Sequence, residues 1–308
     1  MVGSKFLESV YSVFLSSKTK EKSERIILWI ALLSFIIHLA IIGLIHFDVI
    51  YYHETSSLLR NPIAAIYTPF SFILIYEIYL LIYYLPKSTS TYISKQYEII
   101  ALIIIRRLFK DLSDLSLSSN WFNSASDLQF TYDVIASVVL FYLIYLFHQQ
   151  RSTIYFSEKD SVNDKINLNK FINAKKLTAV FLVPILLIIA LYSLIDWSFG
   201  LFQPIDSNHI SFKNINNIFF EQFFNILIIA DVILLIFSFF HTDKFHKVIR
   251  NSGFIISTIL IRVSFSVNGI VNPILIVSAV LFGLMMMYIH NLYEKNLAVQ
   301  IGAEPNSI

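Results

Sequence analysis

The sequence predicts an all-α, polytopic integral membrane protein, and composition, segment length and the placement of basic residues lead to this class. Of the 308 residues, 56% are hydrophobic and 14% are charged, whereas a soluble domain carries about 25% charged residues. Only 7 Gly and 7 Pro occur in the whole chain, so the apolar stretches favour continuous helices. This composition excludes a disordered chain and argues against a water-soluble globular domain.

The chain begins with a polar to amphipathic segment, residues 1–25, for which we expect a cytoplasmic location and which lacks a signal-peptide cleavage pattern. Apolar stretches of about 20 residues, the length needed to cross a bilayer, then follow eight times. The predicted spans are 26–46, 62–85, 89–109, 129–148, 177–197, 218–240, 245–265 and 270–290. The third and seventh carry charges, and we include them because each follows its predecessor across a short turn, at 86–88 or 241–244.

The basic residues predict that both chain termini lie in the cytoplasm, with the protein in the cell membrane. Cytoplasmic loops of membrane proteins are enriched in Lys and Arg. When the termini, the two short turns and the polar stretch 149–176 share one side, that side holds 17 of the 23 basic residues if Lys95, Lys247 and Arg250, which follow the short turns inside spans three and seven, are counted with it, and 14 without them. The opposite side holds three. The stretch 149–176 is therefore predicted to be a cytoplasmic linker, and residues 292–308 a cytoplasmic tail.

The two halves of the chain resemble each other, which indicates four-helix repeats at 26–148 and 177–291. An acid stands second in two similar stretches, Glu77 in YEIYLLIYYL and Asp231 in ADVILLIFSF. Because four spans return the chain to its starting side, the repeats would be parallel, related by a pseudo-two-fold axis along the membrane normal. The alternative is that any two apolar helices look alike by composition.

The spacing of basic residues favours duplication, because charges are the rare residues here. Lys95 follows Glu77 by 18 residues, and Arg250 follows Asp231 by 19. In each half another arginine follows that base by 12 residues, namely Arg107 in the first half and Arg262 in the second.

These spacings predict two ion pairs inside the membrane, Glu77–Lys95 and Asp231–Arg250. A charged side chain at the bilayer centre costs about 2.5–3.5 kcal/mol on insertion scales and persists when it is paired or faces water. Each acid and the base after it are equidistant from their hairpin turn, which puts them at equal depth, about 12–14 Å from the turn. The alternative for the two bases is snorkelling to the cytoplasmic headgroups.

The two further arginines are expected about 18 Å beyond those bases, toward the outer third of the membrane. Acids near the outer ends of neighbouring spans are candidate partners. Asp133 is the candidate for Arg107, Glu221 is the candidate for Arg262, and Asp111 competes for Arg107. Such charges form either a permeation site or a structural ion-pair network.

These charged positions resemble those of the phosphate-starvation-inducible PsiE membrane-protein family. The resemblance rests on YEIYLLIYY with Glu77, KQYEIIALIIIRRLFKD with Lys95, Arg107 and Asp111, YDVIASVV with Asp133, ADVILLIF with Asp231, and RNSGFIISTILIR with Arg250 and Arg262. The usual family member looks like one four-helix unit, so this chain resembles a tandem version over nearly its whole length. Three departures are that Lys95 stands where arginine is typical, that the second half lacks counterparts of Asp111 and Asp133, and that the first half carries an extra polar loop, 111–128, between its third and fourth spans. The family is named for an expression condition and implies no reaction or substrate.

The sequence predicts neither an enzyme nor a cofactor or metal site. No HExxH, GxSxG, CxxC or Walker motif occurs, and cysteine is absent. The net charge of +2 does not favour nucleic acid. The expected partners are the lipid bilayer and an ion or proton, and a homo-oligomer is left open.

Two functions follow from the buried charges. The first is ion or proton permeation, with Glu77 and Asp231 as the titrating or cation-attracting groups. The alternative is a non-transporting stress-response sensor, scaffold or complex subunit. Scarce Gly and Pro within the spans favour that alternative, because transporters often unwind helices at their sites.

Overall fold

The computed structural model describes residues 2–48, 62–113, 125–152, 162–200, 212–240, 244–267 and 269–300. Every regular element within these ranges is helical, which confirms the all-α class. In chain order the elements are α1 (Val2–Phe14), α2 (Ser17–His46), a short 3₁₀ helix (Pro62–Ile66), α3 (Tyr67–Tyr84), α4 (Thr89–Ser113), α5 (Ala125–Ser152), α6 (Val162–Gly200), α7 (Phe212–Phe239), α8 (Phe245–Ser264) and α9 (Val271–Gln300).

Five helical segments of the described chain are long and apolar enough to cross a membrane. They are Leu7–His46, Asp127–Arg151, Lys170–Ile189, Gln222–Phe239 and Val271–Leu297. Thr68–Tyr84 is apolar but shorter. These segments agree with a helical membrane protein, while the count of eight spans stays a prediction.

Large apolar side chains are exposed along several of these helices. Trp29 on α2 is 71% exposed, Val138 on α5 is 64% exposed, and Ile188 on α6 is 65% exposed. Soluble proteins rarely expose extended apolar surfaces, because water solvates such surfaces poorly. Contact with lipid accounts for these faces, in agreement with the membrane-protein class.

The helix ends follow from local sequence chemistry. Ser16 caps α2, since its hydroxyl accepts a hydrogen bond from the backbone N–H of Thr19 at 3.2 Å. The predicted turn at 86–88 is confirmed, because α3 ends at Tyr84 and α4 begins at Thr89. Proline at 86 lacks a backbone donor and disfavours continuing the helix, and Ser88 accepts a hydrogen bond from the N–H of Thr91 at 3.3 Å.

Helix also occupies much of the segments predicted to lie in the cytoplasm, including the tail, where α9 continues to Gln300. Within 1–25 the structure has α1 and the beginning of α2. Within the predicted linker, α5 continues to Ser152 and α6 begins at Val162, so that only 153–161 lie outside the described residues.

The chain divides into two compact units. The first consists of Met1–Tyr83, Ile103–Phe130 and Ala179–Ile226, and the second of Tyr84–Leu102, Thr131–Thr178 and Leu227–Ile308. Each unit therefore draws segments from both halves of the sequence. The predicted repeat boundaries are a separate division of the chain and stay a prediction.

Within the first unit, hydroxyl groups of α3 reach the two N-terminal helices. The Tyr76 hydroxyl donates to Glu24 Oε2 at 2.9 Å, and the Tyr79 hydroxyl donates to the carbonyl of Phe14, also at 2.9 Å. Farther along α3, the ring of Phe70 stacks on Phe109 at a centroid distance of 5.2 Å.

The core of the second unit is built around aromatic side chains. The Tyr97 ring meets Phe147 edge-on at 5.0 Å between centroids, and Phe147 meets Phe254 at 5.7 Å. All three side chains are fully buried. This chain of rings joins α4, α5 and α8, and α4 and α8 are the helices that reach the buried acid described next.

Candidate functional site

The most completely buried charged contact described in the second unit is centred on Asp231 of α7, which is 1% exposed. Its Oδ1 accepts a hydrogen bond from the Tyr92 hydroxyl at 2.8 Å. Its Oδ2 accepts one from Arg262 Nη2 at 2.9 Å and a longer one from Gln96 Nε2 at 3.4 Å. We call these four residues the Asp231 network. Three helices, α4, α7 and α8, bring it together.

Helical spacing explains why α4 supplies two of the donors. Tyr92 and Gln96 are four residues apart, so their side chains lie one above the other on a single face of the helix. Both are buried, at 3% and 4% exposure. A polar pair with this spacing within an apolar helix is stable when that face meets a charge, as it does at Asp231.

Arg262 neutralises Asp231 at short range. The side chains of the pair are 5% and 1% exposed, so both charges have left water. Removing ions from water carries a large desolvation penalty, which attraction at low dielectric offsets when the remaining hydrogen bonds are made. The donors from α4 make those bonds to the carboxylate, and the pair is thereby held inside the helix bundle.

The predicted Asp231–Arg250 pair is wrong. Arg250 instead donates from Nη1 to His290 Nε2 at 2.8 Å and from Nη2 to Asn251 Oδ1 at 3.1 Å. Equal distance from a turn gives equal depth only for straight, antiparallel helices whose side chains point at each other. Arginine has a long side chain, and near the beginning of α8 neutral acceptors satisfy Arg250.

The predicted Glu77–Lys95 pair is wrong as well. Lys95 pairs with Glu98, three residues on in the same helix, and lies over the Tyr84 ring at 5.5 Å. Glu77 is buried at 5% exposure, and the positive charge acting on it is that of Arg106. The local partner was available to Lys95 because residues three apart are neighbours on a helix surface.

Each buried acid is therefore associated with an arginine of the helix that follows it, Asp231 through a contact at 2.9 Å and Glu77 through the charge of Arg106. Arg106 lies 29 residues after Glu77, and Arg262 lies 31 residues after Asp231. In neither half is the arginine concerned the one that the hairpin rule predicts.

The other predicted site residues are distributed as follows. Arg107 and Asp111 belong to the first unit. Asp133 belongs to the second unit and is fully buried. Glu221 lies in α7, but its side chain is outside the described residues. The pairings proposed for Arg107 stay predictions, whereas Arg262 has Asp231 as a described partner.

A second buried cation lies close to the turn between α3 and α4. Lys175 of α6 is 5% exposed. Its ammonium group donates to the carbonyl of Lys87 at 3.1 Å and to Thr89 Oγ1 at 3.5 Å. Its charge also interacts with that of Asp231. The second unit therefore holds two basic groups that act on one carboxylate.

Sequence reasoning missed Tyr92, Gln96, Arg106 and Lys175. For the first two a signal exists, since they are polar residues one helical turn apart in a predicted span. Arg106 precedes Arg107, and the 12-residue spacing from Lys95 selects Arg107 instead. Lys175 lies in the predicted cytoplasmic linker, 149–176, but in the structure this residue belongs to helix α6.

No protein-family model, curated protein or solved structure matches this chain. The function is therefore inferred from the Asp231 network itself.

Proposed function

We propose that this protein moves an ion or a proton across the membrane and that the Asp231 network is the site through which it passes. The observation that carries the proposal is a fully buried carboxylate held by Arg262 inside a helical membrane protein. Ionisable residues within membrane helices are expensive and commonly mark ion or proton pathways. Glu77, which is 5% exposed and experiences the charge of Arg106, is a second buried acid of this kind.

Exchange of one positive charge for another accounts for how the network would work. With Arg262 in place, the carboxylate is neutralised and its oxygens are occupied. When the guanidinium withdraws, a proton or a cation takes its place, and the carboxylate never stands uncompensated in a medium of low dielectric. Tyr92 and Gln96 are neutral, and their oxygens are also suited to a hard cation.

The proposal includes a topology. The chain would lie in the cell membrane with eight spans and with both termini in the cytoplasm, as a tandem relative of the PsiE family. The apolar helices and the asymmetry of basic residues support this arrangement.

Flux through liposomes tests the transport proposal. The purified chain is reconstituted with an entrapped pH dye, and proton, Na⁺ and K⁺ gradients are imposed in separate runs. We expect the wild-type protein to exceed protein-free liposomes for at least one ion and Asp231→Asn to remove that excess. Glu98→Gln is the matched control, because Glu98 is a partly exposed carboxylate outside the network, and it should leave the flux unchanged. Flux that persists in a well-folded Asp231→Asn protein would contradict the proposal.

A non-transporting scaffold is the second candidate, and the saturation of Asp231 favours it. Both carboxylate oxygens already have donors, as expected of a contact that only holds helices together. In that case Asp231→Asn or Arg262→Gln alone would destabilise the protein by about 3–5 kcal/mol, by leaving one buried charge unpaired. The double variant would recover part of the loss, and the wild-type protein would give no flux above protein-free liposomes.

A further inference from the structure

A second polar cluster lies where the beginning of α8 packs against the end of α9. His246 is in the first turn of α8, while His290 and Glu294 lie one turn apart on α9. Glu294 Oε1 is 2.9 Å from His246 Nε2 and 3.9 Å from His290 Nε2. We call these three residues the His246 cluster. One potential ligand atom from each residue falls within 4.8 Å of the other two.

We propose that the His246 cluster binds a divalent transition metal of the zinc class. Two imidazoles and one carboxylate form a donor set that binds Zn²⁺ with one position left open. For bonds of about 2.0–2.1 Å in a tetrahedral arrangement, neighbouring ligand atoms lie about 3.4 Å apart. The two nitrogen–oxygen distances in the cluster fall on either side of that value. The His246 and His290 rings stack at 5.2 Å between centroids, so metal binding would turn them until one nitrogen of each points at the ion.

The protonation of His290 prepares it for a metal. Arg250 Nη1 lies 2.8 Å from His290 Nε2, and a guanidinium can only donate. His290 Nε2 is therefore the acceptor nitrogen, and the ring proton of the neutral imidazole is on Nδ1. A neutral imidazole with a free lone pair is the form that ligates metals. The lone pair is on the nitrogen nearest Glu294, in a side chain only 8% exposed.

Arg250 is the natural competitor for this site. Its guanidinium donates a hydrogen bond to the lone pair of His290 Nε2, which is the lone pair that a metal ion would bind. It also donates to Asn251 Oδ1 at 3.1 Å, so one acceptor stays with it when it leaves His290. Metal binding would thus exchange an internal cation for an external one. Glu294, at 21% exposure, gives the ion a route from solvent.

The cluster is independent of the Asp231 network and shares no residue with it. Sequence analysis predicted no metal site, because no short motif joins His246 to the other two residues and the helix packing alone brings them together. The proposal revises that expectation.

Metal titration of the full chain tests the proposal. The protein is purified in detergent with a histidine-free tag, titrated with Co²⁺ while the visible absorption is recorded, and titrated with Zn²⁺ by calorimetry. We expect saturable binding of one ion per chain, with a cobalt spectrum that Zn²⁺ abolishes. His246→Ala, His290→Ala and Glu294→Gln should each remove this binding. His148→Ala is the matched control, because His148 contacts Glu98 at 3.0 Å without a second histidine, and it should bind as the wild-type chain does.

Arg250→Gln gives a readout that a purely structural histidine cluster would not produce. Removing the competing charge should tighten metal binding about tenfold or more, by the size of a close charge–charge interaction. Wild-type protein that shows no saturable Zn²⁺ or Co²⁺ binding would overturn the proposal without any variant. Unchanged binding in a monodisperse His246→Ala/His290→Ala protein would overturn it equally.

Discussion

At the residue scale, Asp231 depends on donors that differ in charge and in strength. Arg262 contributes a charge-assisted bond, while Tyr92 contributes a neutral hydroxyl aimed at the other carboxylate oxygen. Hydrogen bonds to charged groups contribute about 1.5–3 kcal/mol, more than those between neutral groups. A nearby tyrosine in the same helix, Tyr97, bonds only to the neutral hydroxyl of Ser257. The two tyrosines therefore separate the effect of the charge from the effect of losing a hydroxyl.

Tyr92→Phe should destabilise the protein by about 1.5–3 kcal/mol, because one oxygen of a buried carboxylate loses its donor. Tyr97→Phe, the matched control, removes a bond between neutral groups and should cost about 0.5–1.5 kcal/mol. Thermal unfolding in detergent, followed by circular dichroism, measures both. Equal losses for the two variants would show that the carboxylate does not depend on Tyr92.

The sequence was sufficient to find three of the buried charges but not their partners, and it did not indicate that Lys175 is buried. The acids Glu77 and Asp231 and the base Arg262 are buried as expected, at 5%, 1% and 7% exposure. Their rarity in apolar segments made them visible. Pairing depends on helix inclination, on which helices are neighbours and on side-chain reach. None of these is contained in the spacing along one hairpin, so both predicted hairpin pairs were wrong.

At the element scale, helix positions were well predicted, because apolar length and turn residues act locally. Each predicted span overlaps a helix of the structure, and the turn at 86–88 separates α3 from α4 as expected. Residues 241–243 of the other predicted turn lie outside the described residues. Close helix contacts were not predicted, since they depend on which small residue faces which neighbour. Gly283 of α9 is such a position. A Cβ added there would collide with the Tyr97 hydroxyl and come within 3.1 Å of Ser257 Oγ.

Gly283→Ala should destabilise the protein by about 1–3 kcal/mol, the usual effect of overfilling a packed core. Tyr97 is fully buried and Ser257 also donates to the carbonyl of Ala279 at 2.6 Å, so neither has room to withdraw. Unfolding midpoints of the purified variants provide the measurement. A Gly283→Ala protein as stable as wild type would show that this contact is loose.

Two other glycines serve as matched controls for that experiment. No atom lies within 4 Å of a Cβ built on Gly43 of α2, so Gly43→Ala should be neutral or stabilise by up to about 1 kcal/mol through helix propensity. Gly253 of α8 faces the side chain of Met286. Because methionine is flexible, Gly253→Ala should fall between the other two variants.

At the scale of the whole molecule, composition predicted the membrane-protein class because it sums over every residue. Five segments of the described chain meet the length and hydropathy expected of spans. The division into two compact units could not be predicted in the same way. Each unit contains segments from both halves of the sequence. Which segments pack together depends on contacts between residues far apart in the chain, whereas the repeat pattern describes only the similarity of short stretches.

Topology is the property of the whole molecule that the basic residues predict most directly. The chain contains no cysteine, so a single introduced thiol labels one position without interference. Ser157→Cys lies in the predicted cytoplasmic linker and Ser118→Cys in the predicted outer loop, and serine to cysteine changes little in size. A membrane-impermeant maleimide should label Ser118→Cys in intact cells and Ser157→Cys only after the membrane is permeabilised.

That outcome follows from the positive-inside rule, because the loops and termini assigned to the cytoplasm carry 14 basic residues, or 17 with the three that follow the short turns, against three opposite. Labelling of both thiols in intact cells would place both loops outside the cell. The predicted span between them, 129–148, would then not cross the membrane, and the span count would be wrong. Labelling of Ser157→Cys alone would contradict the predicted topology, because either the orientation is reversed or α4 does not cross. If α4 lay on the membrane surface while the N-terminus stayed in the cytoplasm, Ser118→Cys would be inside and Ser157→Cys outside, so this pair of variants tests the charged third span together with the orientation.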